Sequence, residues 1–95
     1  MILTLDIGNT TIGVCGLEQA EEDCWVLFSR KFPTPHDDSS LLPSLRALLE
    51  QTGTEPRHIE GAVLSSVVPR LEGPLAQAAE RLLGKTPLLV GSHCK

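Results

Sequence analysis

The chain has 95 residues, of which 41% are hydrophobic and 21% are charged, and its formal net charge is −4. This length allows one domain and leaves too little core for a catalytic cleft between two domains. The ordinary composition argues against disorder. The acidic balance argues against binding of nucleic acid or an anionic membrane, because phosphate-rich partners select for clustered Lys and Arg.

The first third of the chain predicts a three-stranded meander. Ile2–Ile7 is apolar except for Thr4 and Asp6, which is typical of a central strand that is covered on both faces. Residues 8–11 are a turn signal and residues 12–17 resume as a second strand, so that the short connection makes a hairpin. After a polar turn at residues 18–23, residues 24–30 predict an edge strand in which Trp25 is a packing anchor.

Two amphipathic helices and two further strands follow. Leucines at positions 41, 42, 45, 48 and 49 form one helical stripe, with Ser40 as the predicted N-cap and Gly53 as the end. Residues 61–68 predict a buried parallel strand stopped by Pro69. A second stripe predicts a helix that begins at Pro74 and ends at Gly84, before a last strand at residues 87–91.

The predicted order of elements is βββαβαβ. Right-handed crossovers place the fourth strand beside the first and give a mixed five-stranded sheet in the order 3-2-1-4-5 with two helices. This α/β arrangement is the ribonuclease-H-like pattern, and the same half-domain builds actin-like ATPases.

Polar residues follow the first and fourth strands, whose carboxyl ends meet at one crevice of such a sheet. In the first loop, Gly8 allows close backbone approach and a positive φ, and the amides of residues 8–11 can form an anion-binding nest. Thr10 and Thr11 add hydroxyl donors, and Asp6 can hold a hydrated Mg²⁺. The alternative is a plain hairpin turn in which Asp6 accepts hydrogen bonds from turn amides.

Other polar residues give weaker signals. Ser65 and Ser66 can donate to a ligand or shape the turn into the helix, and the turn role is the more common one. His36 and His58 lie in polar loops without a ligand partner at metal spacing, and we expect them to be solvated. The acidic residues 21–23 are expected to form a solvated turn.

The cysteines indicate a reducing compartment. There are three of them, an odd number, and the N-terminus reads as a strand and not as a signal peptide, so the expected location is the cytoplasm. Cys15 and Cys24 can face each other across a hairpin, but we expect them to be buried free thiols on strands. His93 and Cys94 have no partners at zinc spacing and are interpreted as a tail.

Three segments together carry a resemblance to a known family. Asp-Ile-Gly-Asn-Thr at residues 6–10, Gly-Ala-Val-Leu-Ser-Ser-Val-Val-Pro at residues 61–69 and Pro-Leu-Leu-Val-Gly at residues 87–91 resemble the N-terminal portion of a type III pantothenate kinase. That family belongs to the superfamily of acetate and sugar kinases and actin-like ATPases. The resemblance extends from Met1 to the end of the chain.

The resemblance implies ATP-dependent phosphorylation of pantothenate, the first step of coenzyme A synthesis. It also implies Mg²⁺, a monovalent cation (K⁺ or NH₄⁺) and a homodimer. Asp6, Gly8, Asn9 and Thr10 match the family's first phosphate motif, which contacts the ATP phosphates and the metal. Thr11 and Gly13 continue that loop by position.

The sequence also departs from the family pattern. Cys15 stands where a glycine is usual, and Ser92-His93 stand where Pro-Gly is common. The Gly-x-Asp-Arg segment that supplies the catalytic aspartate lies beyond Lys95 in family members, so no catalytic residue is assigned here. Residues 1–95 are therefore expected to be one N-terminal ATPase-like subdomain, inactive alone, with the second domain absent from this chain.

Two other hypotheses remain at this stage. The chain can be an ATPase-like module that acts as a non-enzymatic regulatory or accessory factor. It can also belong to another branch of the superfamily, such as a sugar kinase or a chaperone ATPase, although the Ser-Ser-Val-Val-Pro segment at residues 65–69 is not typical of those.

Overall fold

A computed structural model of the chain describes residues 1–91. Its strands form one five-stranded sheet in the order β3-β2-β1-β4-β5, which confirms the predicted α/β topology. Two short 3₁₀ turns, Asp38–Ser40 and Pro56–His58, precede α1 and β4. The elements are β1 (Ile2–Ile7), β2 (Thr11–Ala20), β3 (Asp23–Pro33), α1 (Leu41–Gln51), β4 (Gly61–Ser66), α2 (Pro69–Leu83) and β5 (Leu88–Gly91).

The central strand β1 separates a buried face of the sheet from an open one. It pairs antiparallel with β2 and parallel with β4. Leu3, Leu5 and Ile7 point into a core that they share with the leucine stripes of α1 and α2. The alternate residues of β1, together with those of β2 and β4 beside them, are half-buried or exposed. Within the described residues, both helices therefore cover the same face of the sheet, and the expectation that β1 is covered on both faces was wrong.

The hairpin of β2 and β3 is longer than predicted. The strands continue to Ala20 and from Asp23, so the polar segment 18–23 contributes only Glu21 and Glu22 to the turn, where Glu21 has a φ of 55°. At this outer edge of the sheet no helix covers the paired strands of the described chain, and polar residues can therefore occupy them. The prediction that Trp25 is a packing anchor was wrong, since this residue lies on the uncovered strand and is 47% exposed.

The helix α1 begins after a different cap from the predicted one. Ser40 has a helical backbone conformation and makes no side-chain capping bond. The cap lies at Asp37, whose carboxylate accepts from the Ser39 amide at 2.9 Å and so stabilises the 3₁₀ turn that leads into the helix. At the other end Gly53 follows the helix with a φ of 70°, as a C-terminal glycine is expected to do.

The helix α2 begins five residues earlier than predicted, at Pro69 and not at Pro74. A proline is favourable at the first helical position, because its missing N–H has no partner there in any helix. Ser66 stabilises the turn before this helix, because its Oγ accepts from the Val68 amide at 2.8 Å. Pro74 lies inside the helix, and Gly84 ends it with a φ of 72°.

The cysteines on the strands are free thiols. Cys15 is half-buried and Cys24 is exposed, so the expectation of buried thiols was wrong for Cys24, which lies on the uncovered edge strand. Each faces a polar residue across the hairpin, and not the other cysteine. His93 and Cys94 lie outside the described residues. Within residues 1–91, neither helix has the length and apolar character needed to cross a membrane.

Candidate functional site

Asp6 lies at the carboxyl end of β1 on the open face of the sheet. Its side chain is exposed, and its neighbours in register are Gly13 on β2 and Ser65 on β4. Ser65 Oγ donates to Asp6 Oδ1 at 3.0 Å. A serine from the adjacent parallel strand, 59 residues away in sequence, thus orients the carboxylate. We call Asp6, Gly13 and Ser65 the carboxylate site.

Gly13 leaves space beside this carboxylate. A Cβ atom at position 13 would meet no other atom within 4 Å, so the surface next to Asp6 is open. Mg²⁺ prefers carboxylate oxygens and keeps several waters when it is bound with a phosphate ligand. An exposed carboxylate beside a bare glycine provides both the oxygen ligand and the room for those waters. The residues present therefore fit a hydrated Mg²⁺ held by Asp6.

The turn that follows β1 is the second part of the site, and we call residues 8–11 the candidate phosphate turn. Gly8 N donates to Thr11 O at 2.9 Å and closes the turn, so the expectation that the Gly8 amide forms part of an anion-binding nest was wrong. Asn9, Thr10 and Thr11 are exposed. The expected positive φ at Gly8 was wrong, since Gly53 and Gly84 are the glycines with positive φ in the described chain. Glycine is favoured instead by close approach, because a Cβ at Gly8 would make a tight contact of 3.0 Å with Thr11 O.

Thr34 bonds two carbonyl groups of this turn, although its position in the sequence did not predict a role in the site. Its Oγ1 donates to Gly8 O at 2.7 Å and its amide donates to Thr10 O at 2.9 Å. Thr34 lies directly after β3 and 26 residues from Gly8. No local motif indicates such a contact. Only the pairing of β3 with β2 brings the two segments together.

The remaining polar residues that the sequence singled out either stabilise the local backbone or are exposed to solvent. Ser66 is buried and its hydroxyl bonds only the backbone of Val68, so its predicted turn role is confirmed. Val67 N donates to Ile7 O at 3.0 Å and continues the strand pairing up to the candidate phosphate turn. His36 and His58 are exposed, and among the described residues no group of three metal-ligating side chains occurs.

The carboxylate site lies on the open face of the sheet, which the two helices of the described residues do not cover. A cavity of about 220 Å³ lies elsewhere, between α1 and α2, and includes Asp38, Leu42 and Arg81 in its lining. That cavity opens on the helical side of the sheet, opposite the exposed carboxylate. A nucleotide that binds beside Asp6 would therefore be covered by this chain on one side only.

Solved structures with the same arrangement define the class of fold. The Aquifex aeolicus Ppx/GppA phosphatase matches with a TM-score of 0.59 at 11% identity, over 96% of this chain and 35% of that one. The Thermus thermophilus RuvC structure matches with a TM-score of 0.58 at 14% identity, over 95% of this chain and 63% of that one. The fold is that of the ribonuclease-H-like and actin-like ATPase class.

Sequence comparison narrows this class to one family. The type III pantothenate kinase family model matches residues 2–95, and the chain belongs to this family. The type III pantothenate kinase of Moorella thermoacetica is 37% identical over 97 residues, and that of a Sulfurihydrogenibium species is 32% identical over 97 residues. Both alignments cover 100% of this chain and 37% of the relative, so the chain spans just over a third of these proteins' length.

Proposed function

We propose that this chain is the N-terminal, phosphate-binding subdomain of a kinase that transfers a phosphoryl group from ATP to pantothenate, the first step of coenzyme A synthesis. The observation that carries the proposal is the exposed Asp6 carboxylate at the carboxyl end of β1, oriented by Ser65 and followed directly by the candidate phosphate turn. Membership of the type III pantothenate kinase family supports the choice of substrate.

Each part of the site has a role in this proposal. The amides of Asn9, Thr10 and Thr11 and the two threonine hydroxyls donate hydrogen bonds to the β- and γ-phosphate oxygens, while the Gly8 amide closes the turn. Fixed donors stabilise the negative charge that develops during transfer better than water does, because they need no reorientation. Asp6 holds a hydrated Mg²⁺ beside them, and Gly13 leaves room for its waters. The metal, when bound, neutralises phosphate charge.

The rest of the proposed activity belongs to the longer protein. The catalytic aspartate, the pantothenate contacts and the monovalent-cation site (K⁺ or NH₄⁺) lie in polypeptide that this chain does not include. The whole protein is proposed to be a cytoplasmic homodimer. None of the comparisons favours the non-enzymatic alternative of a regulatory or accessory module.

The test is a two-dimensional ¹H–¹⁵N NMR titration of the chain with ATP, with and without Mg²⁺. We expect saturable shifts of the amides of residues 8–11, at a Kd of about 1 mM or weaker, since one wall of the site is present. Asp6→Asn keeps the shape of the side chain and removes its charge. It should abolish the tightening of ATP binding by Mg²⁺ while leaving ATP binding without the metal nearly unchanged.

Asp23→Asn is the matched control, because it removes the same charge from an exposed position at the far end of the sheet. This variant should retain the effect of Mg²⁺. The proposal is wrong if ATP produces no shifts in residues 8–11 of the wild-type chain. It is also wrong if the two substitutions reduce the effect of Mg²⁺ equally, since the effect would then reflect net charge alone.

A further inference from the structure

We propose that Thr34 is a positioning residue of the candidate phosphate turn, which sets the direction of the turn amides without touching the nucleotide. The proposal rests on the proposed function, because it concerns how that turn presents donors to phosphate. It assigns a role to a residue outside the motif at residues 6–11.

One residue fixes two carbonyl groups of the turn. Thr34 Oγ1 donates to Gly8 O at 2.7 Å, and Thr34 N donates to Thr10 O at 2.9 Å. These carbonyls belong to the peptide groups on either side of Asn9–Thr10. A third bond, from Gly8 N to Thr11 O at 2.9 Å, closes the turn itself. The orientation of both flanking peptide planes therefore depends on Thr34.

The direction of these carbonyls decides where the next amides point. Every peptide bond in the described chain is trans, and in a trans peptide the N–H points opposite to the carbonyl of the preceding residue. With Gly8 O and Thr10 O directed at Thr34, the N–H groups of Asn9 and Thr11 are directed away from it. A rotation of either peptide plane would instead present a carbonyl dipole to an incoming phosphate, which repels it.

Thr34 is itself held in place from both sides. Pro33 has a fixed φ, and Pro35 restricts the residue before it to extended conformations, so the segment loses little freedom on folding. Further along, Arg70 at the start of α2 donates through Nη1 to His36 O at 2.9 Å and through Nη2 to Pro35 O at 3.2 Å. The hydroxyl that orients the turn is thus attached to a segment that is anchored to a helix.

The test compares Thr34→Val with Thr34→Ser in the MgATP titration of the chain. Valine keeps the shape and loses the Oγ1 donor, whereas serine keeps the donor. Thr34→Val removes the hydrogen bond to Gly8 O that orients the Asn9 amide. We expect this loss to raise the Kd for MgATP about five- to tenfold. Thr34→Ser should stay within about twofold of wild type. Thr34→Ala removes the same donor and serves if Thr34→Val does not fold.

Thr52→Val is the matched control. Thr52 is also half-buried, and its Oγ1 also donates to backbone carbonyls, those of Leu48 and Leu49 at 3.1 Å, at the end of α1. This variant should leave the Kd unchanged. An unchanged Kd in Thr34→Val overturns the proposal, and so does an equal loss in Thr34→Val and Thr52→Val or in Thr34→Val and Thr34→Ser.

A measurement without nucleotide separates this proposal from the proposed function. In the free chain, Thr34→Val should shift and broaden the amide signal of Asn9, whose peptide carbonyl loses the Oγ1 bond, while Thr52→Val and Thr34→Ser should leave this signal and that of Thr11 in place. If the wild-type chain does not bind ATP but the Asn9 signal responds as expected, the phosphate-binding function fails and the positioning of the turn by Thr34 stands. If this signal does not respond, the positioning role is wrong.

Discussion

Gly8 fits the candidate phosphate turn because it has no Cβ atom. A Cβ at this position would lie 3.0 Å from Thr11 O, which is a backbone atom and cannot rotate away. We therefore expect Gly8→Ala to open the turn and to lower the free energy of unfolding by about 1–2 kcal/mol, in the range of other overpacked sites. Urea denaturation followed by circular dichroism measures this change.

Gly13→Ala is the natural comparison for this prediction. A Cβ at Gly13 would meet nothing within 4 Å, and its φ is not positive, so the free energy of unfolding should change by less than about 0.5 kcal/mol. Equal destabilisation by the two alanine substitutions would mean that loss of glycine flexibility, and not the contact with Thr11 O, accounts for the effect.

Residues that are adjacent in sequence were predictable as one site, and residues brought in from a distance were not. Asp6 and the candidate phosphate turn follow one another, so their chemistry is visible as a motif. The hydrogen bond from Ser65 to Asp6 spans 59 residues and depends on the register of two parallel strands. The contact of Thr34 with Gly8 depends on where β3 ends, which the sequence placed three residues too early.

At the scale of elements, the capping of the turn before α1 makes folding stability depend on pH. Asp37 accepts from the side chain and the backbone amide of Ser39, and these hydrogen bonds hold the pKa of the Asp37 carboxyl below its ordinary value of 3.8. A group whose pKa is lower in the folded state contributes stability above its unfolded pKa and loses it as the pH falls through the folded value.

We therefore expect the stability difference between wild type and Asp37→Asn to be constant from about pH 5 to 7 and to shrink below about pH 4. Thermal unfolding at a series of pH values measures it. Asp38→Asn removes a carboxylate from the next position, in the first turn of the same 3₁₀ helix. If that variant shows the same pH dependence, the local charge and not the bond to Ser39 is responsible.

The elements themselves were predicted best where one face is buried. The bounds of β1 were predicted residue for residue, because its apolar run ends directly before the turn signal at residues 8–11. The start of α2 was not, because Pro69 and Pro74 both suit a first helical position. The hydrogen bond from the Val68 amide to Ser66 Oγ, which favours Pro69, is not visible in the sequence. The exposed hairpin of β2 and β3 carries no apolar alternation at its tip, and its length was therefore underestimated.

At the scale of the whole molecule, the described residues surround the candidate site from one side only. Both helices pack on the face of the sheet opposite Asp6, and Leu88 and Val90 on the last strand remain 66% and 41% exposed. The relatives are nearly three times longer, since the aligned region is 37% of their length. In the proposed function, the described residues would therefore donate to the phosphates from one side and would enclose neither the nucleotide nor a second substrate.

This one-sided site predicts that the chain binds ATP without transferring phosphate. Positioning of both reactants contributes a large part of the acceleration in phosphoryl transfer, and the proposed catalytic aspartate is outside this chain. Incubation with MgATP, K⁺ and pantothenate, analysed by mass spectrometry, should therefore yield no phosphopantothenate above the level of a blank. Asp6→Asn, prepared identically, controls for a contaminating kinase. Product that forms with the wild-type chain and disappears with Asp6→Asn would show that residues 1–95 are an active enzyme and that the proposed division of the site between two parts of a longer protein is wrong.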